Sequence, residues 1–201
     1  MCGRYTLKND KQVKKLHGIS INRSYNISPG NTVDLLASGH MQIKWSYSPS
    51  WAKSHMNLIN ARFETIYEKP SFKDAKRCVF IVDGWYEWHR FFNYKKREDV
   101  KQAYYHHLDG DIFYLAGLHN NEGCCIVTRE ASEKFKDIHH RQPLLLLHEQ
   151  VSDWLSSEPF IKDRCSSSII IDKVFICLVY NLGSGIYYSV KKFLIFIRSI
   201  F

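Results

Sequence analysis

Through the first 160 residues, short apolar and aromatic runs alternate with polar turns. The clearest run is Cys78-Val79-Phe80-Ile81-Val82, which stops at Asp83-Gly84 and resumes as Trp85-Tyr86-Glu87-Trp88. Its β-branched and aromatic content predicts strand on both sides of the break. Further strands are predicted at Val33 to Ala37, Ala103 to Leu108, Ile112 to Leu118 and Cys124 to Thr128, with a turn at Ser28-Pro29-Gly30-Asn31. Lys11 to Leu16 reads as one or two helical turns stopped by Gly18, and Val151 to Leu155 as a short helix. Glu130 to Asp137 is polar and helix-prone, while the charged stretch 89 to 101 reads as a solvated hairpin or loop. Many short strands with few short helices predict an α+β domain on a mostly antiparallel, curved or barrel-like sheet.

The pattern changes towards the C-terminus. From Ser166 the chain is rich in Ile, and Val174 to Val190 carries no charge. A membrane helix needs about 20 apolar residues, and this stretch is broken by Asn181-Leu182-Gly183-Ser184-Gly185, so a terminal hairpin is the expectation. The chain therefore divides into a domain at 1–160 and a divergent tail at 161–201.

Composition narrows the class. A chain of 201 residues suits one domain with a sizeable core, and 12 Tyr, 12 Phe and 5 Trp exclude a disordered protein. The formal charge of +8 favours an anionic partner, with nucleic acid first. None of the six cysteines forms a CxxC pair, which argues against a zinc ribbon. Arg4, Lys8, Lys11, Lys14 and Lys15 interrupt any opening apolar run, so no signal peptide is expected and an intracellular, reduced protein follows.

The chemistry begins at residue 2. Removal of Met1 would leave Cys2 with an α-amine and a thiol two carbons apart, of reference pKa about 8 and 8.5. An aldehyde can form an imine with that amine, which the thiol then closes intramolecularly into a thiazolidine. Glu87, set among Trp85, Tyr86 and Trp88, is an acid/base candidate whose pKa desolvation would raise; its alternative is a surface carboxylate on an edge strand. On a strand Glu87 shares a face with Trp85 and Asp83, and Trp88 points oppositely. His139 is the second acid/base candidate, sharing a face with Arg141 in an extended segment while His140 takes the other.

Met1-Cys2-Gly3-Arg4-Tyr5, Asn60-Ala61-Arg62-Phe63-Glu64-Thr65, Asp83-Gly84-Trp85-Tyr86-Glu87-Trp88 and Ile138-His139-His140-Arg141-Gln142-Pro143 occur in order, with Pro49-Ser50-Trp51-Ala52 between them. Together, over roughly the first 155 residues, they resemble the SRAP family, the SOS-response-associated peptidase-like proteins. The resemblance implies a monomeric sensor of abasic sites in single-stranded DNA that crosslinks covalently through Cys2, without metal or organic cofactor. It implies catalytic roles for Cys2, Asn60, Glu87 and His139, with Asn60 orienting the cysteine or the sugar. Arg4, Arg62 and Arg141 would contact phosphates, and Trp51 and Trp88 would stack on bases or pack in the core. Gln142 stands where the family motif His-x-Arg-Met-Pro has Met, and the family's closing strands are not recognisable after Cys165. The His139-His140-Arg141 motif and the insertion at 89–101 lean towards animal members, hence a nucleus if the source is eukaryotic. Two rivals remain: a thiol-type (auto)peptidase using Cys2, His139 and Asn60 or Glu87, and a noncovalent reader of modified DNA. An N-terminal-nucleophile amidotransferase also starts Met-Cys-Gly, but Arg4-Tyr5 does not fit it.

Overall fold

A computed structural model describes residues 2–156 and 165–174. In chain order the elements are β1 (Tyr5–Leu7), α1 (Asp10–His17), β2 (Ser24–Ile27), β3 (Thr32–Leu36), β4 (His40–Lys44) and β5 (Asn60–Arg62). There follow β6 (Lys76–Val82), β7 (Gly84–Asn93), β8 (Glu98–His107), β9 (Phe113–Asn120) and β10 (Gly123–Glu130). The described chain closes with β11 (Arg141–Pro143), β12 (Leu145–Leu146), α2 (Val151–Leu155) and β13 (Ile170–Lys173).

Two sheets result. One has the order β13-β8-β7-β1-β2; the other runs β11-β10-β9-β6-β3-β4, with β12 on β9 and β5 on β10. The β5–β10 ladder is parallel and the other ladders among the described strands are antiparallel. Neither sheet closes into a barrel: past the end of β4, Trp45 makes only an isolated bridge to Cys124 of β10.

Continuous apolar sequence marks a strand covered on both faces. Cys78 to Val82 are accordingly all buried, and Phe80 packs with Tyr5 and Trp45 at ring separations of 6.1 and 6.0 Å. Residue 117 must be glycine for this packing, because a Cβ there would lie 2.6 Å from the Phe80 ring. Helix α1 starts at Asn9, whose side chain accepts from the Gln12 amide, and ends where Gly18 adopts φ +69°.

The break at Asp83-Gly84 is the corner where the chain passes from one sheet to the other. Its carboxylate, fully buried, accepts from the Thr6 hydroxyl at 2.5 Å, from the Asn9 amide at 2.9 Å and from the Lys8 amide. Asp83 therefore does not share the Glu87 face, as uninterrupted alternation predicts; the bend turns it towards β1. Tyr105 completes the corner through its hydroxyl, 2.7 Å from Thr6 Oγ1, and its ring fills the space above Gly84.

Stretch 89–101 is a hairpin, built from the outer halves of β7 and β8 around a turn at 94–97. Glu130 to Asp137 is not helical. Only isolated turns form there, with Phe135 accepting from the His139 amide at 3.0 Å, because the Phe135 ring is drawn into the core against Trp85 and His106. Among the described residues no helix is long and apolar enough to cross a membrane. Of the tail, Ile170–Lys173 pairs with β8, whereas the expected hairpin turn at 181–185 lies outside the described residues.

Candidate active site around Cys2

The register of β1 on β7 sets Tyr5 opposite Trp85 and Thr6 opposite Gly84, and the Tyr86 amide donates to the Arg4 carbonyl at 2.9 Å. Extending that antiparallel register towards the N-terminus carries the start of the chain to Glu87. Cys2 is fully buried there. Burial pushes its thiol well above the usual range, and the negative charge of Glu87 adds to the effect. The thiol is therefore S–H at neutral pH. Burial also raises the Glu87 carboxyl, with positive charge at the amino terminus working against the rise. On β7 the Glu87 face continues from the buried Trp85, which stacks on His106 at 4.4 Å.

Asn60 opens β5, which β10 holds in parallel register with Asn60 opposite Ile126. Its Nδ2 donates to the Cys2 carbonyl at 3.0 Å. Its Oδ1 is buried with no hydrogen-bond partner, an acceptor ready for a donor on a bound group.

His139 sits before β11. Its Nδ1 accepts from the Arg141 amide at 2.9 Å, which leaves the ring proton on Nε2. Burial, the positive amino terminus and His140 lower its pKa to about 4, so the imidazole is neutral at pH 7. The segment is not extended: the His139 and His140 rings stack at 4.4 Å instead of taking opposite faces.

The three arginines differ. Arg62 is exposed on β5. Arg4 is half-buried, donates through Nη1 to Asn26 Oδ1, and leaves its Nε buried without a partner. Arg141 is buried; its guanidinium donates to both Glu64 oxygens at 2.8 and 2.9 Å and to the Thr128 carbonyl at 2.7 Å. That forked contact, led by the Arg141 hydrogen bond, holds the Glu64 carboxyl down at about 2. Trp51 is 57% exposed, its Nε1 donating to Pro70 at 3.3 Å, and Trp88 is half-buried beneath Lys101 Nζ at 4.8 Å.

The fold thus brings Cys2, Asn60 and Glu87 together, with Arg62 and Arg141 on neighbouring strands joined through β10. Sequence reasoning gave no role to Glu64, Asp83, Thr6 or Asn26. Glu64 and Asp83 lie inside the quoted motifs, but their partners are 77 residues away, beyond any local pattern.

Residues 1–171 match the family described as SOS response associated peptidase (SRAP). Abasic site processing protein YoaM of Bacillus subtilis is 32% identical over 170 residues, covering 73% of this chain and 72% of that protein. Abasic site processing protein HMCES of Mus musculus is 29% identical, over 66% of this chain and 53% of its own length. A phage-related protein from Bordetella bronchiseptica superposes with a TM-score of 0.66 at 25% identity, covering 86% of this chain and 94% of its own. A second Bordetella bronchiseptica structure, TM-score 0.69 at 17% identity over 87% of this chain and 100% of its own, shares the fold. With its motifs set out in order on this two-sheet fold, the chain belongs to the SRAP family.

Proposed function

We propose that this protein captures abasic sites in single-stranded DNA by forming a thiazolidine with Cys2. The observation that carries the reading is the enclosure of Cys2 by Asn60 and Glu87, and the relatives' name, abasic site processing protein, agrees with it. Removal of Met1 frees the Cys2 α-amine. An abasic deoxyribose is mostly a closed hemiacetal, so its ring must open first. Glu87, raised by burial, takes the proton of the anomeric hydroxyl while the ring oxygen gains one, giving the aldehyde.

The amine then attacks the aldehyde carbon, and loss of water leaves the imine. Addition of the Cys2 sulfur to the imine carbon closes the ring, and the thiol proton passes through Glu87 to the nitrogen. One water is released overall. Glu87 would also catalyse reopening. Asn60 holds the Cys2 backbone and offers its free Oδ1 to the sugar or amine. His139 donates from Nε2 to sugar or phosphate oxygen. Arg4 and Arg62 grip the backbone, Trp51 and Trp88 flank it, and Arg141 acts through Glu64 by fixing β11 to the turn after β5. One chain supplies every group, so a monomer suffices.

The test is incubation with a single-stranded oligonucleotide bearing one abasic site, followed by a denaturing gel. A retarded band that disappears with Cys2→Ala, while noncovalent binding persists, supports the reading. No such band from protein whose Met1 is shown absent by mass overturns it.

A further inference from the structure

The hairpin of β7 and β8 continues outward from Glu87, and the site described so far leaves most of it unused. Side chains alternate along a strand, so Trp85, Glu87, His89 and Phe91 share one face of β7. Exposure rises steadily along that face: Trp85 and Glu87 are buried, His89 is half-buried and Phe91 is 40% exposed. The His89 and Phe91 rings lie 5.3 Å apart, forming one aromatic ledge that leads from the carboxylate to solvent.

Two features say what occupies this ledge. Arg90 and Lys101 pair with each other on the opposite face of the hairpin, Lys101 over Trp88, but the turn at 94–97 that ends the ledge carries Lys95, Lys96 and Arg97, which suits a polyanion. Exposed aromatic rings beside a cationic track are a means by which single-stranded nucleic acid is held without reading sequence. Spacing adds a further selection. Residues two apart on a strand are about 6.8 Å apart, twice the roughly 3.4 Å rise per nucleotide of a duplex strand. Bases following Glu87, His89 and Phe91 would therefore be unstacked from one another.

We infer that His89 and Phe91 form a stacking ledge for the bases next to the captured sugar, selecting an extended single strand. The inference rests on the proposed function only in setting the sugar against Glu87. No hydrogen bond to a base is involved, so the ledge accepts any base.

The test uses an oligonucleotide carrying a tetrahydrofuran analogue of the abasic site, which has no aldehyde and cannot crosslink. Phe91→Ala, at an exposed position, should weaken its binding roughly 5- to 160-fold, the range of one lost base stack. Phe91→Trp should bind at least as well as the native protein, and Phe91→Leu should behave like Phe91→Ala. On a strand whose neighbouring nucleotides also lack bases, native protein and Phe91→Ala should bind equally, because no base is left for the Phe91 ring. Equal binding of native protein and Phe91→Ala to the base-bearing strand would overturn the ledge. So would an equal loss on both strands. Because binding here needs no aldehyde, a native protein that stacks but fails to crosslink would overturn the covalent reading and leave the ledge standing.

Discussion

The side-chain amide of Asn60 donates to the backbone carbonyl of Cys2 over 3.0 Å, tying the start of the chain to a strand that begins 58 residues later. Cys2 precedes β1 and has little ladder of its own, so this bond is a principal restraint on its backbone. Asn60→Ala should cost about 1–3 kcal/mol of stability, the value of one buried hydrogen bond and its orphaned partner. Crosslinking should slow by more than unfolding explains, since Oδ1 is lost as well. Asn60→Asp replaces the donor by a carboxylate facing the Cys2 carbonyl, and at neutral pH should destabilise at least as much as Asn60→Ala. Chemical denaturation alongside single-turnover crosslinking separates the two effects.

Arg141 and Glu64 form a forked pair that fastens β11 to the turn after β5. Arg141→Ala should destabilise the fold by roughly 1–3 kcal/mol, moderated because the Glu64 side chain is partly exposed. The Glu64 carboxyl is held at about 2, below its unfolded value. A depressed carboxylate stabilises above its unfolded pKa and loses that contribution as pH falls through the folded one. Glu64→Gln should therefore flatten acid denaturation between about pH 4.5 and 2, measured by urea midpoints.

The phosphate contacts proposed above can be told apart by salt. Arg62 is exposed, so Arg62→Ala should weaken DNA binding across sequences and lower the slope of log K against log salt by about one. Arg141→Ala should leave that slope unchanged at equal folded fraction, because its guanidinium is already taken by Glu64 and Thr128.

His106 lies buried between Trp85 and Phe135, and burial lowers its pKa to about 4. The unfolded chain, with His near 6.5, binds more protons between those values, so stability is present above pH 6.5 and drains away as pH falls towards 4. The full effect is roughly 3 kcal/mol. His106→Phe should remove most of this pH dependence, followed by thermal melts from pH 4.5 to 7.5.

Much of the fold was legible because its central strands are long and continuously apolar or aromatic. Cys78 to Val82 and Trp85 to Trp88 lie within β6 and β7 as expected, and Gly18 ends α1. β5, β11 and β12 were not, being two or three residues long and fixed by tertiary pairing with β9 and β10 rather than by local preference. Glu130 to Asp137 misled for a related reason: helix-prone polar residues yielded to the burial of one ring, Phe135. At the site, motif order led to Cys2, Asn60 and Glu87. It could not reveal that Arg141 is engaged by Glu64, since a guanidinium's partner depends on contacts distant in the chain.

The central claim is best tested by intact and peptide mass spectrometry of the product formed with an abasic single strand, without added reductant. Capture by Cys2 gives a mass equal to Met1-free protein plus oligonucleotide minus one water, located on the N-terminal Cys2 peptide and stable to heat. An adduct found only after reduction, or located on a lysine, would contradict capture by Cys2.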